Sequence, residues 1–334
     1  MLTKKLAIDL GTANSIVYVK NKGISLMEPT VVAVSEEGDS ILAVGSEAKK
    51  MLGRTPEDIV ALRPLRSGVI ADYRVTEILI KYLIRGAIGK SRFIKPDVVI
   101  SIPAGATSVE SRAVLEAAYS AGAKKAYLVP EPLAAAIGAG LPVSQPSGNI
   151  IVNIGGGTTE IAVVSLYGIV VHGSTRVGGN DFDDAIVQHL RREHGLVIGS
   201  ETAEGVKINL GSAIGARSVD VIEVKGRDSV TGFPRIVEVS SAEINACMER
   251  DLERIAMAVK DVLESTPPEL SSDILDKGIV LSGGTSQLKN IDKYISGYIG
   301  VPVHVADEPI LCVVKGLGEV LDHLEMFSKS MIGR

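Results

Sequence analysis

Two short segments of the chain repeat one pattern. Asp9-Leu10-Gly11-Thr12-Ala13-Asn14-Ser15 leads into the alternating run IVYV, and Asn153-Ile154-Gly155-Gly156-Gly157-Thr158-Thr159 leads into EIAVV. Each reads as a strand, a turn of small and hydroxyl-bearing residues, and a second strand. The second copy starts 144 positions (153 less 9) after the first. Such self-similarity predicts two related half-molecules facing each other across a cleft. A chain of 334 residues, 46% of them hydrophobic, is long enough to bury the core that two such halves need.

Elsewhere strand-like runs alternate with helix-like ones, as in DVVISIP (97–103), SVESRAVLEAAYSAG (108–122) and KAYLVPEP (125–132), a rhythm that predicts an α/β architecture. In the helical segment Val109, Ala113, Ala117 and Ala118 are expected to form the packed stripe, with Gly122 closing the helix. The stretch LPVSQPSGN (141–149), with two prolines, two serines and a glycine, is the expected crossover between halves.

Charge and cysteine content exclude several partner classes. The 35 basic and 40 acidic side chains are spread along the chain and give a net charge of −5, which offers a nucleic acid no attractive field. Cys247 and Cys312 stand far apart without metal-ligand spacing, which suits a reducing compartment. MLTKKLAIDLG runs from two lysines straight into a strand, so no secretion signal is expected. No run approaches the ~18 apolar residues of a spanning helix, so any membrane contact should be peripheral.

Turns rich in glycine let backbone N–H groups approach phosphate oxygens, because no Cβ stands in the way. One such turn is an ordinary hairpin; two at matching places suggest a grip on a polyphosphate from both sides. Asp9 adds a carboxylate suited to Mg²⁺, which keeps much of its water shell. There is no GxxxxGK[ST] loop and no GxGxxG opening a helix after the first strand, so P-loop and dinucleotide-binding readings fall. A third glycine turn, Gly283-Gly284-Thr285-Ser286 after GIVLS, could take a nucleoside against its flat backbone.

Taken in order, DLGTANS, PEPLAAAIGAG (130–140), NIGGGTTEIAVVS (153–165), VGGNDFDDAI (177–186), TAEGVKINLGSA (202–213) and LSGGTSQLKNI (281–291) resemble the nucleotide-pocket motifs of the actin and heat-shock-chaperone ATPase superfamily. Within it the chain is most similar to the bacterial MreB-like cell-shape filament family, over essentially its whole length. The resemblance implies an α/β actin-like fold binding ATP or ADP with Mg²⁺. Residues 1–143 plus 315–334 would form one domain, with a smaller subdomain near 32–74. Residues 144–314 would form the other, with a subdomain near 184–249.

By the same resemblance Gly11, Thr12, Ala13 and Asn14 form the first phosphate loop and Gly155, Gly156, Gly157, Thr158 and Thr159 the second. Gly178, Gly179 and Asp181 close over the phosphate side. Glu204, Gly205, Val206 and Lys207 flank the ribose and adenine opposite Gly283, Gly284, Thr285 and Ser286. Asp9 holds Mg²⁺ through water, and Glu131 orients the attacking water. Three positions depart from the family pattern: Asn153 replaces an Asp, Pro130 replaces a Glu, and Gly205 replaces an Arg. An amide at 153 adds no negative charge and takes no proton. The expectation is a slow Mg-dependent ATPase coupled to polymerisation, with turnover impaired by Asn153.

Phe93 and Ile94, set between Arg92 and Lys95, match a membrane-insertion loop of the family, with cations placed to meet anionic lipid. Implied partners are further copies of the chain in head-to-tail, paired protofilaments, an anionic membrane surface, and membrane proteins of cell-wall elongation. The expected location is the cytoplasm, at the inner face of the membrane. A small-molecule kinase would need an acceptor-binding insertion that the sequence lacks. A chaperone would need a peptide-binding domain, for which the segment after the last nucleotide motif is too short. A scaffold that binds nucleotide without hydrolysing it stays open.

Overall fold

In the computed structural model, which describes residues 4–35, 40–66, 68–89, 95–215, 220–327 and 330–332, both halves of the chain start with a three-stranded meander. The first consists of β1 (Lys5–Leu10), β2 (Asn14–Val19) and β3 (Gly23–Pro29). Five consecutive residues of β1, Leu6 to Leu10, are buried, as befits a strand covered on both faces. The chain then makes a small sheet and its neighbours: β4 (Val32–Ser35), β5 (Ile41–Val44), α1 (Ser46–Lys49), β6 (Ile59–Leu62), β7 (Leu65–Arg66) and β8 (Val69–Ile70).

It returns through α2 (Tyr73–Ile88), where Asp72 caps the Val75 N–H and Val75, Leu79, Ile80, Leu83, Ile84 and Ala87 form the buried stripe. Then come β9 (Asp97–Ile102), α3 (Ser108–Ser120), β10 (Lys125–Pro130) and α4 (Glu131–Gly138). The strand order is β10-β9-β1-β2-β3, with β9 and β10 parallel to β1.

The second half repeats this plan. β11 (Asn149–Ile154), β12 (Thr159–Ser165) and β13 (Gly168–Thr175) form the meander, followed by α5 (Gly179–Glu193), β14 (Leu196–Val197), α6 (Ser200–Leu210), β15 (Val221–Asp228) and β16 (Pro234–Ser240). The return runs through α7 (Ser241–Glu264), α8 (Pro268–Lys277), β17 (Ile279–Ser282), α9 (Ile291–Ile299), β18 (Val303–Val305) and α10 (Cys312–Asp322). The order β13-β12-β11-β17-β18 has the same strand senses as the first sheet. The small sheets β5-β4-β6 and β14-β15-β16 leave their large sheets at the same place, after the third strand of each meander.

A layer of helices joins the two sheets. Ala7, Val99 and Val129 of one sheet and Ile151, Ala162 and Val164 of the other share a core with Leu133 to Ala136 of α4 and Val313, Leu317, Val320 and Leu321 of α10. The helices cross with almost no side chain between them. A Cβ on Gly138 would lie 1.8 Å from the Cys312 carbonyl oxygen, and one on Gly316 would lie 1.8 Å from that of Ala134. In α3 the stripe differs from the expected one: Ser111, Val114, Ala117 and Ala118 are buried, whereas Val109 is 76% exposed. Val109 lies nine residues before Ala118, half a turn away at 100° per residue, and so on the opposite face. Gly122 does follow the helix end, at φ +110.

Candidate functional site

Both glycine turns become hairpin loops with the same register. Leu10 pairs with Ser15 and Ile154 with Thr159, leaving residues 11–14 and 155–158 as the loops. Side chains brace the first loop from behind: the Thr30 hydroxyl donates to the Gly11 carbonyl at 2.7 Å and shares a hydrogen bond with the Ser15 hydroxyl at 2.8 Å. The Gly68 N–H donates to Thr12 Oγ1 at 3.0 Å, so this loop is also tied to the neighbouring turn.

The loops meet across the gap between the sheets. A Cβ on Gly156 would stand 2.6 Å from the Ala13 Cβ, so any larger residue would push them apart. From the second half the Gly179 and Asn180 N–H groups bond the Gly155 and Gly156 carbonyls at 3.0 and 2.8 Å, and the Thr285 hydroxyl bonds the Gly155 carbonyl at 2.8 Å. Gly283, at φ +85, would put a Cβ 2.3 Å from the Ile154 carbonyl oxygen, so only glycine fits the turn there.

A cleft of about 510 Å³ opens above this contact. Among the expected residues, Asp9, Gly11 to Asn14, Glu131, Asn153, Gly155, Gly156, Thr158, Gly179, Glu204, Lys207, Gly283, Gly284 and Thr285 line it. Gly157, Thr159, Gly178, Asp181, Gly205, Val206 and Ser286 do not. Thr159 is buried and donates to the Val177 carbonyl. Asp181 accepts from the Gly178 N–H at 2.8 Å, capping α5, and Val206 packs in the core. The Ser286 hydroxyl turns back to the Gly283 carbonyl. Phe93 and Ile94 lie outside the described residues.

At and beneath the cleft floor six polar side chains are packed together. Asn153 Nδ2 donates to Glu131 Oε1 at 2.6 Å, and its Oδ1 accepts from the Ser282 hydroxyl at 2.9 Å, which fixes the amide orientation. The Ser101 hydroxyl donates to Asp9 Oδ1 at 3.0 Å. Glu160, the cross-strand partner of Asn153, accepts from the Ala104 N–H at 3.1 Å. Burial pushes Asp9 up to about 7 against the pull of its Ser101 bond, and pushes Glu160 up to about 7 against its bond from Ala104. Glu131 lies well above the usual carboxylate range through burial, then the Asp9 and Glu160 charges, with the Asn153 bond opposing.

Glu204 and Lys207 do not pair with each other. Lys207 Nζ reaches Asp183 Oδ1 and the Gly179 carbonyl, both at 2.8 Å. Asp183 stands near 6, raised by burial and pulled down by Lys207. Glu204 bonds Lys49 at 2.8 Å, and one turn earlier Glu201 bonds Arg54 at 2.7 Å, so α6 is tied to α1 and the turn after it in the other half. Partial burial works to raise Glu204, but the Lys49 ammonium holds it below its usual range. Ser101, Glu160, Asp183, Lys49 and Arg54 were not singled out in the sequence. Glu160 could have been, since it is the one charge in the apolar strand TEIAVVS.

The residues present fit a nucleotide and its metal. The glycines let the two loops and the facing turns pack as closely as they do, where a Cβ would collide with the neighbouring segment, and the carboxylates of Asp9, Glu131 and Glu160 gather negative charge in a buried place where a hydrated divalent cation would relieve it. No helix of the described residues is long and apolar enough to cross a membrane.

Comparison with known proteins agrees with this arrangement. A family model described as MreB/Mbl protein matches residues 3–329. The chain is 47% identical over 332 residues to the cell shape-determining protein MreB of Escherichia coli (strain K12), covering 98% of this chain and 95% of that one. It is 45% identical over 329 residues to the cell shape-determining protein Mbl of Bacillus subtilis (strain 168), covering 98% and 99%. The crystal structure of MreB 5 of Spiroplasma citri bound to AMPPNP superposes with a TM-score of 0.92 at 35% identity, covering 98% of this chain and 99% of that one. The ADP-bound form of that protein matches equally well.

Proposed function

The chain belongs to the MreB/Mbl family, and from that premise we propose that it is an actin-like cytoskeletal protein that binds ATP, assembles head-to-tail into filaments at the inner face of the cell membrane, and maintains cell shape by guiding wall synthesis. The observation that carries the reading is the pair of hairpin loops, residues 11–14 and 155–158, contributed by two sheets of the same topology and meeting under one cleft. Backbone N–H groups of both loops would hold the phosphates. Glu204 to Lys207 and Gly283 to Ser286 would flank the nucleoside. Asp9 would hold Mg²⁺ through water, and that ion when bound supplies charge neutralisation at the phosphate oxygens.

Glu131 would orient the attacking water, a role that its position in the cleft lining and the 2.6 Å bond from Asn153 to its carboxylate support. With an amide in place of a second carboxylate, the floor carries less negative charge toward the metal. ATP binding is retained and hydrolysis is slow. That same amide favours a second reading, a nucleotide-binding scaffold with no turnover. Single-turnover phosphate release with Mg-ATP separates the two. Slow release that rises about tenfold in Asn153→Asp supports a slow ATPase, and none in either protein supports the scaffold.

The filament and membrane parts of the reading are tested by negative-stain microscopy with Mg-ATP, with and without anionic liposomes. Filaments that coat the liposomes, and that in Phe93→Ala/Ile94→Ala form only in solution, support it. Monomers that bind ATP tightly under every condition overturn it.

A further inference from the structure

Away from the cleft, three metal-ligating side chains converge between α5 and α7. His189 lies in the last two turns of α5, His194 caps the same helix, and Glu243 sits in the first turn of α7. Their nearest ligand atoms all lie within 4.8 Å of one another. Glu243 Oε2 accepts from the Ser240 N–H at 2.9 Å and the Ser240 hydroxyl at 2.7 Å, and the Glu243 N–H returns a bond to Ser240 Oγ at 3.4 Å, closing the capping box of α7. That tether aims Oε1 at the imidazoles, 2.7 Å from His194 Nε2 and 3.7 Å from His189 Nε2.

A proton shared between His194 and Glu243 would account for the shorter contact alone. It leaves His189 Nε2, a buried atom, with no hydrogen-bond partner among the described residues. A cation between the three atoms satisfies all of them. Zinc-to-nitrogen and zinc-to-oxygen bonds of roughly 2.0–2.2 Å place tetrahedral ligands about 3.3 Å apart, within the spread seen here. The end of α5 also favours a cation, because its last carbonyls carry partial negative charge. Of the arginines in that last turn, Arg192 is paired with Glu193 at 2.7 Å. Cys247, one turn along α7 from Glu243, has its thiol on the Ile244 carbonyl and is not counted as a ligand.

We propose that His189, His194 and Glu243 form a site for one divalent transition-metal ion of the zinc class, with Nε2, Nε2 and Oε1 as ligands and solvent completing the shell, which fastens the end of α5 to the start of α7. The Ser240 tether is the outer support that orients the carboxylate. Imidazole nitrogens select against Mg²⁺, so this site and the nucleotide's metal would not compete. It stands apart from the reading of the cleft and would survive that reading's failure.

The test is calorimetric titration of ZnCl₂ into the nucleotide-free full chain without a histidine tag, with thermal unfolding and the visible absorption of Co²⁺ as second and third readouts. One ion per chain is expected, with a rise in Tm given by Zn²⁺ and not by Mg²⁺, and Co²⁺ bands of a four-coordinate site. His194→Asn should weaken binding by about tenfold or more and abolish the Tm rise. Glu243→Gln serves as the variant that keeps the fold, since glutamine also completes a capping box, and should do the same. No saturable binding overturns the proposal. So does unchanged affinity in both variants, which would put the ion on other side chains, or a Tm that follows pH at the cluster but ignores zinc.

Discussion

Among the described residues Glu160 has one backbone N–H, that of Ala104, to offset its burial, and it holds its proton up to about 7 in the folded chain against 4.5 for a free side chain. Between those values the folded state binds more protons than the unfolded one, so stability falls as pH rises through that window. Without nucleotide or Mg²⁺, this one group should make the protein on the order of 2 kcal/mol less stable at pH 8 than at pH 5, read by urea unfolding. Asp9, also raised to about 7, acts in the same direction. Glu160→Gln, which can still accept from Ala104, should remove its share of the slope and leave that of Asp9, and saturating Mg-ATP should flatten the profile in the parent. An equally steep profile in the variant would remove Glu160 as a cause. The loop residues of this site were readable because glycine and hydroxyl turns have a local signature. Ser101 and Asp183 were not, because their neighbours come from strands and helices far away in sequence; Glu160 carried a local sign, as the one charge in an apolar strand, but its partners did not. Asn153 was readable only as a departure from a pattern. Its hold on Glu131 needed coordinates.

Among the elements, α4 and α10 depend most on the absence of side chains. Gly138→Ala or Gly316→Ala would drive a methyl into the facing backbone, where a Cβ has 1.8 Å of space, and neither helix can withdraw without opening the core between the sheets. Each should cost about 3 kcal/mol. Gly205→Ala, where a Cβ meets nothing within 4 Å, should gain up to about 1 kcal/mol from helix propensity. Urea midpoints of the three variants check both signs. The alternation of strands and helices was legible from the apolar runs. The α3 face was misread because alanines every fourth residue suggest a stripe that drifts around the helix, while the sheet beneath selects Ser111, Val114 and Ala118. Nothing local marks Gly138 and Gly316 as partners, since a glycine's reason lies in whatever comes close to it.

At the scale of the whole molecule, the two halves touch at both ends of the cleft. At the base they share the helical layer, and at the rim Lys49–Glu204 and Arg54–Glu201 bridge them. These pairs are partly or largely exposed and worth little to stability. Lys49→Ala/Arg54→Ala should move the urea midpoint by less than about 1 kcal/mol yet speed release of a fluorescent ATP analogue several-fold in stopped flow, with the parent approaching the variant as salt rises. Release unchanged by both mutation and salt would show that the bridges do not hold the rim.

Two helices locked backbone to backbone cannot slide along each other, but they can pivot about their point of contact. That makes the glycine crossing a fulcrum and the ion-paired rim the far end of a lever. A displacement of a phosphate's length near the loops would become a larger swing at the rim. In a row of such subunits, each joined to the next by its ends, the swing would repeat at every joint. The chemical state of a small molecule would then be written into the curvature of the strand.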